Sequence, residues 1–139
     1  VSQQYRMAAL CEIAFAHLRL AELAAAPAEQ QQHRREALDA SGTAFDLYQG
    51  FGFVQIVECT SEEILFRHGL ALQANGQTET GQDMVRRAYA EMRRKHALIP
   101  ADSPFSQTYL EAIPLHGEIR AAYEALPAAG AASEAVSRE

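Results

Sequence analysis

Between residues 60 and 100, apolar positions recur with the period of two helices separated by a turn. Thr60 and Glu63 have the spacing of a capping box, in which two free amide donors at a helix start are satisfied reciprocally. A helix is therefore predicted to begin near Ser61. Leu65, Gly69 and Leu72 follow at i, i+4 and i+7, and Ile64, His68 and Ala71 form the adjoining row of a wide apolar stripe. Gly69 interrupts that stripe. A glycine inside a helix costs about 1 kcal/mol relative to alanine, so the expected compensation is close approach of a second helix. Asn75-Gly76 predicts the turn, because both residues tolerate the left-handed conformation that ends a helix. Gly81, Val85, Ala88, Tyr89, Met92 and His96 then line one face of a return helix, small at its start and larger toward its end.

The rest of the chain alternates in the same way. Met7, Leu10, Cys11, Ala14, Leu18 and Ala21 recur at helical spacing, while Ile13, Phe15, Leu20 and Leu23 coat other faces, which predicts a heavily buried first helix. Glu12, His17, Arg19 and Glu22 inside it argue against a membrane span. Residues 24–32, rich in alanine and glutamine, read as a connection. A second helix is predicted over 32–49, with Ala37, Leu38, Ser41, Ala44, Phe45 and Tyr48 on one face and Gly50 and Gly52 ending it. Residues 51–59 contain the β-formers Phe53, Val54, Ile56 and Val57. A solitary strand would leave its edges unpaired, so this stretch is expected to be an extended connector pinned to the core. Asp102-Ser103-Pro104 marks another helix start, with Ser103 as cap and Pro104 in the first turn. Phe105, Tyr109 and Leu110 are expected to dock behind it. Pro114 breaks the run, and Leu115, Ile119, Ala122, Tyr123 and Leu126 predict a final amphipathic helix. Residues 1–126 thus form one helical domain, and residues 127–139 are expected to be a disordered tail with little to bury.

The hairpin over 60–100 resembles a tetratricopeptide repeat. The pattern is carried by Leu65, Gly69, Leu72, the turn residue Gly76, and the small residues Gly81 and Ala88. The chain departs from it in lacking tryptophan and in placing the proline late, at Pro100. The resemblance implies an all-α fold of about two antiparallel helix hairpins in a right-handed α-superhelix, closed by a C-terminal capping helix. Residues 103–119, together with 51–69, resemble the C-terminal end of the repeat regions of large bacterial multidomain regulators. There an ATPase of the signal-transduction type, sometimes with a DNA-binding or cyclase domain, precedes the repeats.

Composition narrows the function classes. At 139 residues and 48% apolar, the chain suits one globular domain. A net charge of −6 argues against a nucleic-acid surface. Cys11 and Cys59 are too few for a disulfide scaffold and lack metal spacing, which points to reduced thiols in a cytoplasmic setting. The start at Val1 and the absence of a signal segment suggest a piece of a longer polypeptide. Arginine greatly outnumbers the single lysine, Lys95, a bias of GC-rich bacterial sources. The five histidines lack the one-turn spacing of a helical metal site. No Gly-rich phosphate loop occurs, and no serine, cysteine or carboxylate pair has a catalytic context. The basic run Arg86, Arg87, Arg93, Arg94 and Lys95 reads as a solvated face that complements a helix dipole.

The expected function is non-enzymatic, with no catalytic residue, cofactor or metal. In tetratricopeptide proteins the first helices of successive hairpins line a concave surface. The resemblance places Glu63, Phe66, Leu70 and Gln73 there, with Cys11, Phe15 and Leu18 as first-repeat counterparts. The expected partner is a protein, upstream domains of the same polypeptide, or a second copy of the chain, with neither nucleic acid nor membrane involved. A lysine-and-asparagine clamp for a peptide terminus is missing from this face. The alternative is a small-molecule sensor that regulates an upstream ATPase. A pocket with a few convergent polar groups would favour the sensor; a flat groove would favour a protein partner.

Overall fold

A computed structural model describes residues 2–53 and 59–128, which form six helices and no strand. The β-formers at 54–58 and the tail from 129 onward lie outside the described residues. Helices α1 (Gln3–Leu23) and α2 (Pro27–Gly50) make one hairpin, and α3 (Ser61–Ala74) and α4 (Thr78–His96) make a second. Two shorter helices, α5 (Pro104–Glu111) and α6 (Pro114–Glu124), fold back on α4. No helix is long and apolar enough to cross a membrane among the described residues.

The first connection is far shorter than its composition suggested. Only residues 24–26 separate α1 from α2, because Pro27 occupies the first turn of α2 and alanine and glutamine are good helix formers. Gln30 Nε2 donates back to Ala24 O at 2.8 Å and ties the turn down.

The start of α3 also departs from expectation. The Thr60 side chain makes no cap; its Oγ1 is buried without a partner. The Glu63 and Ile64 amides instead reach Thr60 O at 3.1 Å. Glu63 cannot reach back, because its carboxylate faces Cys59 and Arg67.

The second hairpin follows its pattern closely. Gly76 has φ 82°, and the Gly76 and Gln77 amides bond Gln73 O and Leu72 O, a Schellman ending. The two helices then approach backbone to backbone. A Cβ on Gly69 would lie 2.9 Å from Gly81 O, and a Cβ on Gly81 would lie 2.6 Å from Gly69 O. The glycine cost is thus offset by contact that no other residue permits.

Helix α3 sits at the centre. Ile64, Leu65, Phe66, Ala71 and Leu72 are all buried, and the first three pack in one cluster with Met7 and Cys11 of α1, Phe45 and Tyr48 of α2, Val85 and Met92 of α4 and Ile119 of α6. Helix α1 is less covered than expected. It buries Met7, Cys11, Ala14 and Ala21, while Tyr5, Ile13, Leu20 and Leu23 face outward, exposed. In α5, Ser103 Oγ accepts the Phe105 amide at 3.3 Å, as its sequence implied. Tyr109 and Leu110 pack on the core, but Phe105, one turn before Tyr109 in the first turn of α5, does not dock and is 70% exposed. Helix α6 closes the end of the bundle through Ile119 and through Tyr123, whose ring stacks on Tyr89 at 3.9 Å.

Candidate functional site

A cavity of about 630 Å³ lies between α1 and α3. Its apolar wall is Phe15, Leu18 and Ala21 from α1 with Phe66, Leu70 and Ala74 from α3. Helical periodicity explains the alignment: 15, 18 and 21 on α1, and 66, 70 and 74 on α3, recur every three or four residues and bring two rows face to face. Arg19, Glu22, Arg34, Arg67 and Glu118 surround that wall.

Four of the seven residues expected on a concave surface meet here: Phe15, Leu18, Phe66 and Leu70. The other three are placed elsewhere. Cys11 is buried in the core, its Sγ 3.4 Å from that of Cys59, and both thiols are free. Gln73 turns toward α4, where its Cγ meets Gly81 and its amide reaches back to Gly69 O at 3.4 Å. Glu63 lies beside the pocket rather than in it. Burial, then the neighbouring charge of Glu12, pushes its carboxyl above the usual range, against the opposing pull of Arg67.

Arg67 is the residue that periodicity did not single out. It is 8% exposed, and its guanidinium sits 4.3 Å over the Phe15 ring and 5.7 Å from that of Phe66. Its Nε is buried without a hydrogen-bond partner. The nearest carboxylate oxygens, on Glu63 and Glu118, stand at 3.9 and 3.7 Å, outside good hydrogen-bond distance. Buried charged groups are ordinarily paired and hydrogen-bonded, so this guanidinium has unused capacity at the pocket wall. An arginine in the middle of an otherwise apolar helical stripe was its one signal in the sequence.

A second charged cluster, on the opposite side of α3, also escaped periodicity. Glu62 is 1% exposed and receives an ion pair from Lys95 of α4, while its Oε1 lies 3.1 Å from His116 Nε2 of α6. His116 Nδ1 meets Tyr109 O at 2.6 Å, and Ser61 Oγ donates to Glu91 at 2.9 Å. Burial alone would raise the Glu62 carboxyl, but the Lys95 hydrogen bond and charge outweigh it and hold the group below the usual range. Lys95 is therefore not part of a solvated basic face. The half-buried Arg86 and the exposed Arg94 do face solvent, each pairing one turn back along α4 with Asp83 or Glu91. This buried cluster joins α6 to the second hairpin.

Comparison with protein-family models, curated proteins and solved structures gave no match. Function is therefore read from the pocket itself.

Proposed function

We propose that this chain is a non-enzymatic, tetratricopeptide-like recognition module whose ligand enters the α1–α3 pocket. The observation that carries this is the convergence of two apolar helix rows around a cavity of about 630 Å³ with an under-bonded guanidinium in its wall. Ligand sites are concave, mostly apolar and marked by a few placed polar groups, within about 300–1,000 Å³. A pocket of this kind favours the small-molecule sensor over a flat protein groove. The contact order supports the repeat reading: α1 pairs with α2, α3 with α4, and α3 packs on both helices of the first hairpin. Binding would act on domains elsewhere in a longer signalling or transcription regulator, as the resemblance implies.

A neutral solvatochromic dye such as Nile red tests the site directly. Its emission should rise with the native chain, and Leu18→Trp or Leu70→Trp, which fill the cavity, should remove that rise while helical circular dichroism persists. Unchanged dye binding in both filled variants would refute the assignment.

A protein partner is the second reading, and a different surface favours it. Tyr5, Ile13, Leu20 and Leu23 form an outward apolar stripe on α1, with the small residues Ala9 and Ala16 between them. Such a stripe suits close packing against another helix, and a second copy of this chain offers the same stripe in return. Light scattering over a dilution series tests it: a monomer at every concentration rejects self-association.

A further inference from the structure

We infer that the pocket takes a small organic carboxylate with an apolar body, its acid group held by Arg67. The inference rests on the reading of this cavity as a ligand site, and adds the ligand's chemistry. Arg67 is nine-tenths buried, its Nε has no acceptor, and its guanidinium is held by the Phe15 ring at 4.3 Å. A guanidinium presents a rigid planar fork that matches the two oxygens of a carboxylate. The apolar part of the wall, Leu18, Phe66 and Leu70 among them, offers contact only to hydrocarbon.

Charge decides between acids. Glu22 and Glu118 also border the pocket, and Arg19 at the rim is already paired with Glu22 at 2.7 Å. The lining holds three cations, Arg19, Arg34 and Arg67, against Glu22 and Glu118, a net charge of +1 that a single carboxylate balances and a phosphate dianion exceeds. Glu118 is the built-in competitor. Its Oε2 lies 3.7 Å from the Arg67 Nη1, and its side chain is half exposed, free to swing into water when a ligand carboxylate arrives.

The test is an NMR titration of the isotope-labelled chain with two acids, decanoate and 4-phenylbutyrate, and with their neutral counterparts, 1-decanol and 4-phenylbutanol. The acids should shift the Leu18 and Leu70 amides and the Arg67 Nε–H signal, and bind about tenfold tighter than the alcohols, the effect of a charge-assisted hydrogen bond. Arg67→Gln should erase that difference, Arg67→Lys should retain part of it, and Glu118→Gln should tighten the acids and leave the alcohols unchanged. Circular dichroism of each variant guards against misfolding, and Glu118→Gln, at a half-exposed site, tests the competition even where Arg67 variants fail to fold. Acids and alcohols binding equally would overturn the carboxylate and leave the pocket standing. Failure of all four probes to perturb pocket residues would overturn both. Tighter capture of an apolar peptide with a free C-terminus than of either acid would overturn the small-molecule source.

Discussion

The backbone contact between Gly69 and Gly81 can be tested by adding one methyl group. In Gly81→Ala the new Cβ would lie 2.6 Å from Gly69 O, 2.6 Å from Gln73 Cγ and 3.0 Å from Gln73 N. Gln73 Cγ can rotate away; the two backbone atoms cannot. Helices α3 and α4 must therefore separate, which loosens Val85 and Ala88 against the core. Overpacking of this kind costs about 1–3 kcal/mol, and the better helix propensity of alanine returns about 1 kcal/mol. A net loss of up to about 2 kcal/mol remains, a fall of up to roughly 8 °C in Tm for a domain of this size. Gly117→Ala is the internal control. Gly117 is also helical, but its Cβ would meet nothing within 4 Å, so the same substitution should gain about 0.5–1 kcal/mol. Gly69→Ala combined with Gly81→Ala should cost less than the two separately, because one separation accommodates both methyls. Thermal melts followed by circular dichroism measure all four variants. Gly81→Ala as stable as Gly117→Ala would show that the helices are not in backbone contact.

Other groups carry their own expectations. Glu62→Gln should cost about 3 kcal/mol, since it leaves the partly buried Lys95 without the fully buried carboxylate it pairs with, and chemical denaturation would measure it. Because the folded-state carboxyl titrates below its ordinary value, its stabilisation is complete above that value and lost as pH falls through the lowered one. The acid limb of a stability–pH curve should therefore flatten in Glu62→Gln. His68 is buried against the Phe45 ring and lies 3.0 Å from Ser41 Oγ, and burial pulls its titration below the ordinary 6.5. Its neutral form fits the fold, so stability should decline as pH drops from 6.5 toward the lowered value, a slope that His68→Gln should remove. The Cys59 thiol is pushed well up, first by its contact with Cys11 and then by burial. Ellman's reagent at neutral pH should accordingly leave native Cys11 and Cys59 unmodified and label both after unfolding; rapid labelling of the native chain would contradict the buried pair.

The parts of the fold that could be read in advance are those governed by short-range chemistry. Gly69, Gly76 and Gly81 predicted a tight hairpin because each acts within a turn or at one contact, and Ser103-Pro104 predicted a helix start for the same reason. The failures share another cause. Thr60 and Glu63 have capping-box spacing, yet Glu63 turns away because Cys59 and Arg67 lie beside it in the folded chain, which spacing cannot reveal. Phe105 and Tyr109 are one helical turn apart, yet only Tyr109 packs on the core. Helix α1 is apolar on two faces, which periodicity read as burial; the fold covers one face and leaves the other outward.

The same limit governs the site. Phe15, Leu18, Phe66 and Leu70 entered only through the tetratricopeptide resemblance, which grouped them with Glu63, Gln73 and Cys11, and the fold brings just those four to one pocket; Arg67 and Glu62 were not singled out, because a charge inside an apolar helix shows no partner until the other helices are in place. Those two residues divide the labour of α3. Glu62, on one side, is paired to Lys95 and His116 and anchors the capping helices; Arg67, on the other, is under-bonded and faces the pocket. Phe66 belongs to both the core and the pocket wall, so Phe66→Ala would lose about 3–5 kcal/mol and confound any binding assay. Replacing it together with Leu70 therefore cannot separate an open site from a buried one. Leu18 can: it lines the pocket from α1 and stands outside the buried core, so a loss of binding in Leu18→Trp with an unchanged melt would belong to the pocket alone.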